Sequence, residues 1–205
     1  MSVLDAIHGG YVHSRRVRVM CGHLAELLPQ GARVLDVGCG DGLLAHLILQ
    51  RRPDLKIEGI DVLLRPQAYV PVKAFDGQSI PHENGSFDVV LFVDVLHHVE
   101  RQEELLAEAR RVSRRHVVIK DHTLNGFLAG PTLRFMDWVG NARHGVALPY
   151  NYWPRERWLE TFARLKLEVS VWKKDLGLYP PPANWVFGRS LHFMARLDLP
   201  DSGKA

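Results

Sequence analysis

Residues 34–44 read VLDVGCGDGLL. Val34, Leu35 and Val37 form a short apolar strand that runs, with no spacer, into Gly38-Cys39-Gly40-Asp41-Gly42. Leu43 then opens a helical pattern that reaches Arg52, where Pro53 stops it. Glycines at such a turn let the backbone reverse sharply and let a ligand lie against bare main chain. The free N–H groups of the following helix start suit the polar end of that ligand. A dinucleotide fingerprint needs G-x-G-x-x-G. Here the spacing is G-x-G-x-G, with Leu43 where the third glycine would stand, which counts against NAD or FAD.

On either side of this loop the pattern alternates strands and helices. Tyr11–Leu28 reads as an amphipathic helix, ended by Pro29-Gln30-Gly31. Lys56–Val62 reads as a second strand that carries Asp61 at its end. A carboxylate at that place accepts hydrogen bonds from both hydroxyls of a ribose and disfavours a 2′-phosphate. Asp76-Gly77 follows in a turn-rich stretch, where the carboxylate can accept from an adenine amino group. Phe87–Val93 (FDVVLFV) and His116–Lys120 (HVVIK) are nearly continuous apolar runs, as in strands buried on both faces of a parallel sheet. Glu100–Val112 is a helix between them. Strand–helix alternation of this kind predicts an α/β fold.

The four motifs VLDVGCGDG, IEGIDV, FDGQSIP and GSFDVVLFVDVLHHV, in this order, resemble class I S-adenosylmethionine-dependent methyltransferases, closest to the small-molecule, ubiquinone-methyltransferase-like group. The resemblance covers residues 31–121. It implies a Rossmann-like, doubly wound sheet of seven strands, mostly parallel with one antiparallel strand near the edge. It implies S-adenosylmethionine as cofactor and S-adenosylhomocysteine as product. Gly38 and Gly40 then line the methionine part, with Asp36 nearby. Asp61 takes the ribose hydroxyls, Val62 packs by the adenine, and Asp76 and Gly77 meet its edge. Val93 and Asp94 lie near the reacting methyl. Arg15 or Arg16 reaches for the methionine carboxylate.

The remainder of the chain agrees with one domain over 1–205. It comprises an N-terminal helical segment (1–30), a cofactor half (31–121), and a substrate cover with a terminal hairpin (122–205). Residues 122–153 read as irregular, Arg155–Leu165 as a helix, and Lys166–Lys174 and Ser190–Leu197 as two final strands joined through the turn-rich 177–188. In open α/β sheets ligands bind at the carboxyl ends of the strands. His97-His98 and Asp121-His122 are both expected there, with His122 as general base, Asp121 beside it, and His98 as a further candidate. Adjacent residues on a strand face opposite ways, so Asp121 and His122 need not touch. Trp138, Tyr150, Tyr152 and Arg143 sit in an aromatic-rich stretch that suits an apolar or aromatic acceptor.

Composition narrows the partners. The 205 residues are 46% hydrophobic and 24% charged, with net charge +3, which excludes disorder, collagen and coiled coil as overall classes. No run of about 20 apolar residues predicts a membrane span. Met1–Gly10 has no apolar signal core. Peripheral contact with a membrane surface stays open at Leu124–Val139, against which Pro131 and Asp137 count. Two cysteines, Cys21 and Cys39, outside any CxxC pair, predict a reduced, cytoplasmic protein. No Cys/His set has zinc spacing, so no metal is expected. The first hundred residues carry 9 Lys/Arg and 12 Asp/Glu, and the rest carry 17 and 11. The basic run Arg110–His116 lies at a helix end before a strand, opposite the cofactor crevice, which argues against nucleic acid. The expectation is methyl transfer to a small acceptor, oxygen first, then carbon or nitrogen. The alternatives are an RNA or protein methyltransferase, a nicotinamide oxidoreductase, and a non-catalytic cofactor-binding partner subunit. The oligomeric state is not legible.

Overall fold

The computed structural model describes residues 3–141 and 149–200. Seven strands form one sheet: β1 (Arg33–Val37), β2 (Lys56–Asp61), β3 (Val72–Ala74), β4 (Phe87–Val93), β5 (Ser113–His122), β6 (Glu168–Lys173) and β7 (His192–Asp198). Their spatial order is β3-β2-β1-β4-β5-β7-β6. The first five are mutually parallel, and β7 runs antiparallel between β5 and β6. This is the expected doubly wound sheet with one reversed strand next to the edge.

Alternation along the strands splits the core into two layers. Leu35, Val37 and Phe92 face α3 (Gln102–Val112) and α5 (Arg155–Arg164), where Leu105, Leu106, Trp158 and Phe162 close one core. Val34, Val89 and Val118 face the opposite way, against α1 (Val3–Leu27) and α2 (Leu43–Arg51), with Leu24 and Ile48 in that layer. The central strands are buried on both faces, which explains why they read as unbroken apolar runs. α3 carries Glu103 and Glu104 in its first turn and Arg110 and Arg111 in its last, matching the helix dipole at both ends. Arg111 is spent on Glu108, Asn84 and the carbonyls of Ile80 and His82, so part of the basic run has a local structural role.

The chain departs from the sequence reading in several places. α4 (Ala129–Asn141) occupies part of the segment expected to be irregular. Its Pro131 lies in the first turn, where a missing N–H costs nothing. The edge strand β3 is only three residues long and pairs with Gly59–Asp61. β5 runs to His122, because Asp121 and His122 pair with Phe193 and His192 of β7 beyond the end of β4. A short helix, α6 (Ala183–Phe187), lies in the loop before β7. Among the described residues no helix is long and apolar enough to cross a membrane.

Candidate functional site

The turn after β1 brings three glycines into left-handed conformation, with φ of 74° at Gly38, 60° at Gly40 and 76° at Gly42. Gly42 precedes α2, and a Cβ there would meet Val70 Cγ2 at 2.5 Å. Beside Gly40 a Cβ would meet nothing within 4 Å, so its backbone faces open space. That space is a cleft of about 630 Å³, lined by Gly38, Gly40, Asp61, Val62, Asp76, Gly77, Asp94 and His98 among others. Asp61, at the end of β2, is 8% exposed. Its two oxygens accept from the N–H groups of Gly40 and Leu63, each at 2.8 Å, leaving one lone pair on each oxygen for a ligand. Asp76 closes its turn by accepting from the N–H groups of Gln78 and Ser79. Gly77 adopts φ 81°, and a Cβ on it would press Val62 Cγ1 at 3.1 Å. Val62 and Gly77 thus form one wall of the cleft.

A second cavity, of about 460 Å³, opens on the other side of the glycine turn. It is lined by Asp36, Val93, Asp94, His97, His98, His122 and Asp137, with Arg16 and Met20 from α1 and Met136 from α4. Gly38, Asp94 and His98 line both cavities and form the wall between them. Asp36 is buried at the inner end, and burial, with the nearby Asp61 carboxylate, pushes its carboxyl up to about 7. Burial also pushes up the Cys39 thiol, with Asp36 and Asp61 adding to the effect. Cys39 packs against Gly59 of β2, where a Cβ would meet its Sγ at 2.3 Å.

The inner cavity sits on a buried network of charges. Asp94, in left-handed conformation just past β4, is bridged by Arg16 at 2.5 Å and by Lys120 from β5. Burial would raise the Asp94 carboxyl, but Lys120 and Arg16 hold it well below the usual carboxylate range. The Asp121 carboxylate accepts from the Leu96 and His122 N–H groups and pairs with His97 Nδ1 at 2.6 Å. On its far side, His97 Nε2 lies 3.3 Å from Asp137 Oδ1. Burial lowers the basicity of His97, but the two carboxylates outweigh it and raise its pKa to about 10. His122 experiences the opposite balance. Burial, Lys120 and His97 lower its pKa to about 4, so it is neutral near pH 7. Tyr152 donates its hydroxyl to Asp137 Oδ2 at 2.5 Å.

The fold therefore gathers Asp36, Gly38, Gly40, Asp61, Val62, Asp76, Gly77, Val93, Asp94, His98 and His122 around two connected cavities. Asp121 is fully buried behind them and takes His97 as its side-chain partner across β4 and β5, with His122 Nδ1 farther off at 3.4 Å. Tyr152 does not line the inner cavity itself but backs three residues that do, stacking on His97 at 5.5 Å between ring centroids, meeting His122 edge-on at 5.9 Å and donating to Asp137. Tyr150 lies under the Arg134 guanidinium, 5.5 Å from its ring centroid. Trp138 is 58% exposed and lines neither cavity. Arg143 lies outside the described residues. Lys120 and Asp137 were not among the expected site residues. Their signals were a lysine inside the apolar run HVVIK and a lone acid between Met136 and Trp138.

Comparison with known proteins agrees with this geometry. A family described as methyltransferase domain matches residues 11–170. An uncharacterised methyltransferase of Mycobacterium tuberculosis (strain ATCC 25618 / H37Rv) is 40% identical over 85 residues, covering 38% of this chain and 43% of that protein. The 27-O-demethylrifamycin SV methyltransferase of Amycolatopsis mediterranei is 29% identical over 106 residues, covering 44% of this chain and 39% of its own. The chain thus matches less than half the length of these curated relatives. A SAM-dependent methyltransferase of Thermotoga maritima superposes with a TM-score of 0.67 at 17% identity, over 97% of this chain and 96% of that one.

Proposed function

This chain belongs to the methyltransferase-domain family, and from that premise we propose that it moves the methyl group of S-adenosylmethionine to a small acceptor with an apolar or aromatic body, an oxygen nucleophile first. The observation that carries this reading is the shared wall of Gly38, Asp94 and His98 between a glycine-turn cleft and a buried, polar inner cavity. A cofactor in the first, with its methionine end reaching past this wall to Asp36 and Arg16, and an acceptor in the second would meet there.

The cleft fits the cofactor. The bare backbone at Gly40 leaves room for it, and Asp61 retains acceptor capacity for the ribose hydroxyls. Val62 and Gly77 would flank the adenine, and Asp76 its exocyclic amine. At the other end Asp36 would pair with the ammonium of the methionine part. Arg16, whose Nε is buried without a partner, would take the carboxylate. Val93 and Asp94 would border the reacting methyl. When bound, the cofactor supplies a methyl group activated by the sulfonium, so the chain mainly aligns the acceptor.

The inner cavity supplies an apolar rim of Met20, Leu43, Leu44 and Met136 for the acceptor's body. His122, neutral in a cavity wall, would take the proton of an acceptor hydroxyl, with Asp121 as its positioning residue through the His122 N–H. The partial likeness to a 27-O-demethylrifamycin SV methyltransferase supports oxygen as the nucleophile. Calorimetric titration with S-adenosylhomocysteine, with NADH beside it, tests the reading. The expected result is micromolar binding of the first, none of the second, and a loss of about 5- to 150-fold in Asp61→Ala, from 1–3 kcal/mol for a hydrogen bond to a charged group. No binding of S-adenosylhomocysteine, or equal binding by the folded variant, overturns it.

A further inference from the structure

We propose that the inner cavity holds a divalent transition-metal site formed by His97, His98 and Asp137. One ligand atom from each of the three lies within 4.8 Å of the others. His97 and His98 stand side by side on the 3₁₀ turn after β4, with ring centroids 4.0 Å apart, and Asp137 faces them from α4. All three line the cavity.

The geometry at His97 carries the proposal. Its Nδ1 side is fixed by Asp121 at 2.6 Å. Its Nε2 is buried with no hydrogen-bond partner, although Asp137 Oδ1 is only 3.3 Å away. The oxygen lies near the nitrogen but off the direction in which an N–H would point. With bonds of about 2.1 Å to each, a cation between these atoms would subtend about 105°, close to the tetrahedral angle. Such a cation replaces the proton on Nε2. A histidine ligand held through its other nitrogen by a carboxylate is the usual support of a metal site. Asp121 is fully buried, and its oxygens already accept from Leu96, His122 and His97, so it is this support and not a ligand.

Two imidazoles and one carboxylate suit zinc or a similar first-row cation better than magnesium or calcium, which prefer oxygen donors. Three protein ligands leave coordination positions turned toward the cavity. An acceptor hydroxyl or amine bound there would sit beside the wall shared with the cofactor cleft. That last consequence rests on the proposed methyl transfer; the cation site itself does not. Such a site runs against the expectation, drawn from Cys/His spacing, that no metal is bound. Its ligands are adjacent histidines and a distant helix acid, which no linear motif joins.

The test is calorimetric titration of the full, untagged, EDTA-treated chain with Zn²⁺, without cofactor, alongside the visible absorption of the Co²⁺ form. The expected result is one ion per chain at micromolar or tighter affinity. His98→Ala and Asp137→Asn should each weaken it by about tenfold or more, and Asp121→Asn by about 10- to 100-fold. X-ray absorption at the zinc edge should show nitrogen and oxygen neighbours with imidazole scattering, which keeps the proposal testable if a variant folds poorly. Absence of binding, or binding unchanged in His98→Ala and Asp137→Asn, overturns it. S-adenosylhomocysteine titrated into the EDTA-treated chain separates the two readings: binding there with no zinc site rejects only the cation.

Discussion

Replacing Asp36 by Asn should make the protein more stable and worse at holding its cofactor. Asp36 is 3% exposed near the end of β1, and its carboxyl is lifted from an ordinary 3.8 to about 7 by burial and by the Asp61 carboxylate. The sign follows from proton linkage. The folded chain binds this proton more tightly than the unfolded chain does. The stability linked to it is fully present below pH 3.8 and is lost as pH rises through 7. The rise corresponds to about 4 kcal/mol at 25 °C, an upper bound on what the ionised carboxylate costs above neutral pH. For a chain of this length each kcal/mol moves the melting temperature by about 2–4 °C. Thermal unfolding of both proteins without cofactor, at intervals from pH 4 to 8.5, reads this directly. Asp36→Asn should gain several degrees at pH 8, and the gain should shrink toward zero near pH 4. Binding of S-adenosylhomocysteine at pH 8 should weaken in the same variant, because the ammonium loses its counter-charge. A variant destabilised at pH 8, or one whose gain does not change with pH, would refute the assignment of Asp36 as a strained carboxylate kept for the ligand.

Other substitutions test separate parts of the site. His122→Gln should lower turnover by about 100-fold or more while leaving S-adenosylhomocysteine affinity unchanged, the mark of a proton acceptor outside the cofactor cleft; equal loss of both would assign it to packing. Gly59→Ala would press a methyl against Cys39 Sγ at 2.3 Å, and should cost about 1–3 kcal/mol in denaturant unfolding and weaken the cofactor turn. Tyr152→Phe removes the donor to Asp137 and should cost about 1–3 kcal/mol of stability. It should also raise the acceptor KM with cofactor affinity intact, and an unchanged KM would place Tyr152 outside acceptor binding.

The legible part of this molecule was the part whose patterning is local. Arg33–Val37 and Phe87–Val93 could be bounded to the residue because both faces of those strands are buried, so apolar runs start and stop with the sheet. The glycine turn and Asp61 were visible because backbone conformation and strand ends leave fixed residue types behind. α4 was hidden because Gly130-Pro131 reads as a loop when its place in a first turn is unknown. The partner of Asp121 was hidden for a different reason. Proximity along the chain favours His122, whereas the β4–β5 pairing carries His97 within 2.6 Å of the carboxylate. Asp137 joins that cluster from a helix 16 residues beyond Asp121, a contact set by tertiary packing alone.

The packing of Cys39 against Gly59 decides how the protein meets oxidants. Only the thiolate attacks peroxide, disulfides or alkylating reagents. Cys39 is held as the protonated thiol by burial and by the carboxylates around it, and the Cys21 thiol is likewise pushed up by burial. Both cysteines are unpaired and neither is primed for exchange. The burial that shapes the turn that would cradle the cofactor thus also keeps its sulfur in the less reactive protonated form. Maleimide labelling should be slow for both in the folded chain and fast in urea, which makes thiol reactivity a direct gauge of whether this turn is intact.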